Sequence, residues 1–315
     1  MRRAPTLSVG LPVYNGQSYL AESINALLGQ SYEDFELIIS DNASTDDTAE
    51  ICHYYQEKDS RIRYFRQELN IGGAPNHNFL VEQARGELFK WASDDDLYAR
   101  DLLGRCVAVL KEFPHVVLAH SWTALIDDSG MVTKAVRYPL ATSSASAPER
   151  FRSILFESGG DDDGGVIRMD VLRRMPLLGS YHHSDRTLVA ELALRGPFYQ
   201  VPDWLYFRRD HAERAERAFT TVRAWCANLD PRRDNALRNP AVRLYAEYVW
   251  AFVTAIRRAP LTPAERRLCY QHLARWMASR ATVGRGRHVP EPPSAPSVSI
   301  ASLDVMVPGR ERERP

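Results

Sequence analysis

The sequence has no long apolar run, no paired cysteines and no excess of charge of either sign. Among its 315 residues, 40 basic side chains balance 40 acidic ones, so no net field attracts nucleic acid or an anionic membrane. No window is apolar for long enough to span a bilayer. Ser8, Gly10 and Pro12 interrupt the N-terminal apolar segment, which makes it a poor signal peptide. We therefore expect a globular cytoplasmic protein that does not bind nucleic acid.

The signature motifs of several enzyme classes are also missing. No Walker A motif is present and no G-x-G-x-x-G follows the first apolar run, which excludes P-loop enzymes and ordinary dinucleotide dehydrogenases. The absence of G-x-S-x-G and H-E-x-x-H removes serine hydrolases and zincins. The cysteines form no CxxC pair and have no histidine at zinc-ligand spacing, which predicts reduced, mostly buried thiols: Cys52, Cys106, Cys226 and Cys269.

Apolar runs and helical patterns alternate through the first hundred residues. The patterns predict strands at 7–13, 35–40, 63–66 and 88–92, separated by a helix over about 18–28, a second that begins near Thr48 and a third that runs through Ala84. Thr45 is the predicted N-cap of the second helix. This alternation is typical of parallel βαβ units with right-handed crossovers. The predicted fold is therefore α/β, with a doubly wound, mostly parallel sheet.

Carboxylates follow two of the predicted strands. Asp41 comes directly after the second strand, and Asp94, Asp95 and Asp96 come after the fourth. The carboxyl ends of strands in an open α/β sheet form the ligand crevice, where these acids are placed to bind substrate or a divalent cation. The alternative is an acidic loop that caps the following helix, with Asp96 and Asp101 as N-caps. The triplet alone leaves both interpretations open.

A second helix start carries another aspartate. Helical spacing in SDRTLVAELALRG predicts a helix with Ser184 as its N-cap, which places Asp185 in the first turn, where free N–H groups favour a carboxylate. Short strands are predicted at 198–201 and 205–207. Four charged or titratable residues follow them: Arg208, Arg209, Asp210 and His211.

The last third of the chain is predicted to be helical. Aromatic and aliphatic residues recur at helical spacing over 241–258 and 263–282, which indicates two helices packed on the main domain. The alternative is that their aromatic side chains rest on a membrane surface or a partner. The glycine- and aspartate-rich segment 159–165 is either a mobile loop near the ligand or a solvated turn. The Pro-, Ser- and Arg-rich tail, 284–315, is predicted to be flexible.

Several separated motifs resemble one enzyme family. SVGLPVYNGQSYLAESINALLGQSYEDFELIISDNASTDDT, then NIGGAPNHNF and ARGELFKWASDDDLYARDLL, closely resemble the N-terminal half of family 2 glycosyltransferases, which have the Rossmann-like GT-A fold. The resemblance extends through HHSDRTLVAELALRG to YFRRDH. It implies a GT-A domain over 1–215, followed by a helical region over 216–283. It also implies inverting sugar transfer from a nucleotide-sugar donor, with uridine the commonest base in the family.

The resemblance implies roles for particular residues. Pro12, Tyr14 and Asp41 would surround the base, and Asn15 and Asn70 would also bind the nucleotide sugar. Asp94 would bind the ribose, and Asp95, with Asp96 and His211, would bind Mn²⁺ or Mg²⁺. Arg208 and Arg209 would close over the diphosphate, and Asp185 would be the catalytic base. The chain departs from the commonest DxD form because Ser93 stands where many members have the first aspartate.

Two other functions remain as alternatives. A sugar-nucleotide nucleotidyltransferase shares the fold class and metal chemistry, but its glycine-rich signature with a basic residue near the first strand is absent. A non-catalytic nucleotide-sugar-binding module would recruit partners through the C-terminal helices. The acceptor implied by the family is a glycan, a lipid-linked sugar or a small molecule. Peripheral membrane contact and homo-oligomer formation through the C-terminal helices also remain open.

Overall fold

The computed structural model describes residues 4–136, 140–157, 164–212 and 214–283. Within these ranges nine strands form one sheet. They are β1 (Leu7–Val13), β2 (Phe35–Asp41), β3 (Ile62–Arg66), β4 (Leu88–Trp91), β5 (Leu97–Tyr98), β6 (Leu118–Ile126), β7 (Val132–Val136), β8 (Val166–Arg168) and β9 (Phe198–Arg209). The strand order is β3-β2-β1-β4-β8-β6-β9-β5, and β7 pairs with β6. The predictions for residues 159–163 and for the tail lie outside the described residues.

Helices cover the sheet and extend beyond it. In chain order they are α1 (Leu20–Leu28), α2 (Thr48–Lys58), α3 (Gly73–Gln83), α4 (Leu102–Glu112), α5 (Ala147–Phe156), α6 (Met169–Leu172), α7 (Ser184–Arg195), α8 (Ala215–Ala218), α9 (Val222–Leu229), α10 (Ala241–Arg258) and α11 (Pro263–Val283). None of the helices in the described ranges combines the length and the hydropathy that a bilayer span requires.

The parallel half of the sheet is formed by β3, β2, β1 and β4, as the alternating pattern predicted. β1 pairs in parallel with β2 on one side and with β4 on the other, so it lies at the centre of this half. Every residue of β2 is buried, which fits a mainly apolar run in a strand covered on both faces. The carboxyl ends of β1, β2 and β4 therefore meet at one edge, where the polar loops that follow them come together.

The other half of the sheet is mixed. β8 is antiparallel to β4 and β6, whereas β6 and β9 are parallel over nearly their full length. The prediction of two short strands at 198–201 and 205–207 is wrong, because they are one strand, β9. The register with β6 shifts at Trp122, where a bulge accommodates Pro202 and Asp203. A bulge tolerates proline, which has no N–H to donate to the ladder.

The C-terminal helices pack on α5 and α7, as predicted from their apolar spacing. α10 contacts α7 and α11, and α11 contacts α5. Phe252 and Trp276 are buried together, with ring centroids 5.7 Å apart, and Phe252 also meets Phe151 of α5. The four cysteines are unpaired and buried, which confirms that prediction.

Candidate active site

A cleft of about 480 Å³ opens at the carboxyl edge of the parallel strands. Its walls come from the loop after β1, the segment before α3, the acidic residues after β4 and the chain that follows β9. Seven of the predicted site residues line it: Pro12, Tyr14, Asn15, Asn70, Asp94, Asp95 and His211. The structure therefore gathers side chains from four separate stretches of sequence into one cavity. Its volume falls within the usual range for small-molecule sites.

The segment after β2 fastens the loop that follows β1. Asn15 is at φ 54°, and its backbone N–H donates to Ser44 Oγ at 2.9 Å. The Gly16 N–H donates to Thr48 Oγ1 at 2.9 Å, and the Gln17 N–H donates to Asp46 Oδ2 at 3.1 Å. The spaced hydroxyl and acidic residues of DNASTDDT thus hold a strained turn in place. The prediction that Thr45 caps α2 is wrong. The helix α2 begins at Thr48, and the Thr48 N–H donates to Asp46 Oδ1 at 3.1 Å.

Asp41 lies beneath the cleft rather than in its lining. Its side chain is fully buried, with Oδ1 accepting the Ser44 N–H and Oδ2 accepting the Tyr64 hydroxyl, each at 2.8 Å. Burial, followed by that hydrogen bond, raises the pKa of Tyr64, which keeps the hydroxyl a donor. The next residue, Asn42, reaches the cleft and donates to Asn70 Oδ1 at 3.0 Å. Asp41 therefore organises the turn that presents Asn42.

The three acids after β4 have different surroundings. Asp94 and Asp95 line the cleft, whereas Asp96 is buried beside β9. Asp96 accepts the Arg209 backbone N–H at 2.8 Å and the Tyr206 hydroxyl. The structure thus separates Asp96 from the predicted metal-binding group. Burial, strengthened by the nearby Asp95 carboxylate, raises the pKa of Asp96 to about 7.

Asp94 is crowded by neighbouring carboxylates at the base of the cleft. Burial raises its pKa well above the usual range, and the Asp95 and Asp96 carboxylates raise it further. Gly16 leaves room for it, because a Cβ at that position would clash with Asp94 Oδ2 and lie 2.6 Å from Val13 Cγ2. A cation or a hydrogen-bonded sugar hydroxyl would relieve this concentration of negative charge.

Asp95 and His211 form a direct pair across the cleft. His211 Nε2 lies 2.9 Å from Asp95 Oδ2, and the Ser93 hydroxyl donates to Asp95 Oδ1. The His211 ring packs on Tyr19, with centroids 5.1 Å apart. No cluster of three histidine, cysteine or acidic side chains in metal-binding geometry occurs among the described residues. A carboxylate and an imidazole nevertheless fit a Mn²⁺ or Mg²⁺ ion whose remaining ligands are diphosphate oxygens and water.

The arginines predicted to close over the diphosphate do not line the cleft. Arg209 is fully buried, and its guanidinium donates to Asp95 O and Asp128 O at 2.8 Å and to Glu22 Oε2 at 2.7 Å. Arg208 is half-buried, one residue earlier on β9. The arginine that reaches the cleft is Arg214, which also donates to Arg209 O. Arg209 therefore positions the backbone of Asp95.

Asp185 is exposed in the first turn of α7, as predicted, but it is not among the residues that line the cleft. Burial lowers the pKa of His77, a cleft residue, and the Asp185 carboxylate partly opposes that effect through its charge. The prediction that Ser184 is the N-cap is wrong by one residue. Ser184 is the first helical residue, and His183 precedes it at φ 56°. The chain thus turns sharply where Asp185 is presented.

Comparison with known proteins assigns the family. A sequence model of glycosyl transferase family 2 matches residues 8–168, just over half of the chain. The chain belongs to glycosyltransferase family 2. An uncharacterized glycosyltransferase from Haemophilus influenzae is 35% identical over 132 residues, which are 42% of this chain and 52% of that protein. The Campylobacter jejuni GalNAc(5)-diNAcBac-PP-undecaprenol beta-1,3-glucosyltransferase is 34% identical over 132 residues, 41% of each chain. The matched part of this chain therefore spans about half, or less, of the length of these relatives.

Solved structures confirm the GT-A fold of this family 2 glycosyltransferase. S. aureus TarS 1-349 in complex with UDP-GlcNAc has a TM-score of 0.55 at 17% identity, covering 90% of this chain and 93% of that one. The mannosyltransferase PcManGT from Pyrobaculum calidifontis, in complex with GDP-Man and Mn²⁺, has a TM-score of 0.54 at 17% identity. The match covers 91% of this chain and 77% of the mannosyltransferase chain. The α/β prediction with a helical C-terminal extension is confirmed.

Sequence reasoning missed cleft residues contributed by the glycosyltransferase's second half. Arg214, Phe219 and Asn228 line the cavity, and α9 packs against the start of α3. Gly72 permits this approach, because a Cβ there would lie 2.5 Å from Leu229 O. The sequence does contain one signal, the Gly72-Gly73 pair, which indicates that another backbone segment approaches closely but does not identify that segment.

Replacing Arg209 with methionine is expected to lower the free energy of unfolding by about 3 kcal/mol, because the fully buried guanidinium is lost and the partly buried carbonyls of Asp95 and Asp128 lose their donor. Arg105→Met is the matched control. Arg105 forms an exposed ion pair with Asp203 at 3.3 Å, so its loss should cost under about 1 kcal/mol. Urea titration measures both values. Equal effects of the two substitutions would contradict the supporting role of Arg209.

Proposed function

We propose that the chain transfers a sugar from a nucleotide-diphosphate donor, a UDP-sugar, to an acceptor hydroxyl with inversion at the anomeric carbon. The observation that carries this proposal is the convergence of Tyr14, Asp94, Asp95 and His211 on one cleft at the carboxyl edge of the parallel strands. The UDP- and GDP-sugar complexes of proteins with the same fold are consistent with it.

The donor is proposed to lie along the β1 edge of the cleft. Pro12, Tyr14 and Asn15 form one wall, and about half of the Tyr14 side chain is exposed to contact a base. Asn42 and Asn70 place amide groups at the same end, where they offer hydrogen bonds to the nucleoside. Asp94 accepts from a ribose hydroxyl in this arrangement. Asp41 supports the wall from beneath through Ser44.

The diphosphate is proposed to lie near Asp95, His211 and Arg214. Asp95 and His211 would hold Mn²⁺ or Mg²⁺, which neutralises charge on the leaving diphosphate when bound. The Arg214 side chain lines the same cleft and supplies further positive charge. Arg209 keeps the Asp95 backbone in place, and Asp96 accepts the Arg209 backbone N–H from the buried side.

Asp185 is proposed to be the catalytic base. The acceptor oxygen forms a bond to the anomeric carbon as the bond to the diphosphate oxygen breaks, and the acceptor proton passes to an Asp185 carboxylate oxygen. Attack from the face opposite the diphosphate inverts the configuration in one step. The influence of the Asp185 charge on the pKa of His77, a residue that lines the cleft, supports this role. A glycan, a lipid-linked sugar or a small molecule would supply the hydroxyl.

Thermal-shift screening of the full chain tests the donor assignment. UDP and UDP-sugars with Mn²⁺ are expected to raise the melting temperature, because a ligand that binds only the folded state stabilises it. Product analysis should then find a nucleoside diphosphate and an inverted glycosidic bond. Release of pyrophosphate would favour the nucleotidyltransferase instead. Binding without transfer to any acceptor and without slow donor hydrolysis would favour a non-catalytic module.

A further inference from the structure

The helix α10 presents an apolar face that the described part of the chain leaves uncovered. Val242, Tyr245 and Trp250 are 79%, 50% and 58% exposed, and Val249 lies partly buried between them at helical spacing. Leu237, in the turn before the helix, is 95% exposed. The inner face of the same helix, with Leu244 and Phe252, is buried in the core. We call the exposed set the outer face of α10.

The segment that carries the outer face is basic although the whole chain is neutral. Residues 231–283 contain ten arginines and no lysine, against three acidic residues, Asp234, Glu247 and Glu265. Part of this charge is paired, because Glu247 contacts Arg233 and Arg243 at 2.9 Å and two acids from outside the segment contact Arg232 and Arg258 at 2.8 Å. Arg232 and Arg243 nevertheless have side chains that are 85% and 54% exposed. The balance of charge across the chain therefore conceals a local excess of positive charge.

We infer that the outer face of α10 docks on the surface of an anionic lipid bilayer. A helix with aliphatic and aromatic residues on one side and arginines beside them suits the membrane interface, where the apolar side chains enter the headgroup region and the arginines meet lipid phosphates. A second copy of the chain fits less well. A symmetric contact through this face would bring its arginines against the same arginines of the partner.

The outer face adjoins the start of α7, where the proposed base Asp185 lies. The Tyr245 ring lies 6.3 Å from the ring of His182, and His182 precedes Asp185 by three residues. Docking through this face thus brings the start of α7 close to the bilayer surface. Docking in this orientation suits an acceptor whose sugar hydroxyl is carried on a membrane-embedded lipid. This identification of the acceptor rests on the proposed function. The docking itself does not depend on catalysis.

Vesicle co-sedimentation of the full chain tests the inference. We expect binding to vesicles of equal parts phosphatidylglycerol and phosphatidylcholine, weaker binding at high salt and no binding to phosphatidylcholine alone. The double variant Leu237→Asp/Val242→Asp should reduce binding at least about tenfold. Two apolar side chains that would enter the bilayer are replaced by negative charges, which the anionic lipid surface repels. Both positions are exposed, so the fold should survive. Tyr54→Asp, on α2, is the matched control, with a side chain that is 53% exposed.

The results of these assays distinguish bilayer docking from dimerisation through the same face. Failure of the chain to bind anionic vesicles, or equal binding by the double variant and the wild type, would overturn the inference. Dimerisation that the double variant abolishes, without vesicle binding, would assign the face to a second copy. Nucleotide-induced thermal shifts measured in parallel separate this result from the proposed function, because the double variant should retain donor binding.

Discussion

Asparagine in place of Asp185 is expected to slow sugar transfer by about 10³-fold, because the acceptor hydroxyl loses the carboxylate that takes its proton. Asparagine has nearly the same size and keeps a polar group in the first turn of α7, so the cleft should be unchanged. Donor binding, which depends on Tyr14, Asp94 and Asp95, should stay near the wild-type value. Single-turnover transfer and donor titration by calorimetry measure the two quantities separately.

The simpler explanation of Asp185 is that it stabilises the start of a helix. Asp170 provides the matched control, since it is exposed in the first turn of α6. If both residues act only on helix stability, Asp170→Asn and Asp185→Asn should each cost under about 1 kcal/mol of unfolding free energy and have equal effects on activity. Full transfer activity in Asp185→Asn would remove it from the reaction.

Alanine in place of Asp95 is expected to weaken Mn²⁺-dependent binding of the nucleotide diphosphate by at least about 100-fold, because the ion loses its only carboxylate ligand in this proposal. His211 would lose its partner at 2.9 Å at the same time. Binding of the nucleoside alone should change little, since the β1 wall of the cleft does not involve Asp95. Titrations of UDP and uridine, with Mn²⁺ and with EDTA, distinguish the two contributions.

Asp210→Ala is the control for this experiment. Asp210 is the neighbour of His211 in sequence, but it is exposed and pairs with Arg217 at 2.8 Å. Its loss should leave metal-dependent binding intact. An unchanged manganese requirement in Asp95→Ala would mean that other side chains hold the ion. Equal losses in both variants would point to a general effect on the segment after β9.

The main lines of the fold were predictable because they follow from local pattern. Compact, mainly apolar runs such as 35–40 specify buried strands, and their alternation with amphipathic helices specifies parallel units whose carboxyl ends share an edge. That reasoning placed Tyr14, Asp94 and Asp95 near one another, and the structure brings them together. The continuous strand β9 was missed because Pro202 looks like a break, and only pairing with β6 shows that a bulge absorbs it.

The exact membership of the cleft was harder to predict. Asp95 and Asp96 are adjacent and chemically identical, and the sequence alone does not show that Asp96 turns inward to the Arg209 backbone. Arg209 was expected at the diphosphate, but three carbonyl and carboxylate acceptors from distant segments hold it in the core. Arg214 reaches the cleft instead. Side-chain direction at such positions depends on long-range partners, which no local pattern encodes.

A crystal structure with UDP and Mn²⁺, with data collected at the manganese edge, would show whether this cleft holds both the donor and its metal ion. We expect an anomalous peak within coordinating distance of Asp95 and His211, with the diphosphate on the same ion and the uracil against Tyr14. A manganese peak remote from Asp95, or a nucleotide bound outside the cleft that Pro12, Asn15 and Asp94 line, would contradict this expectation.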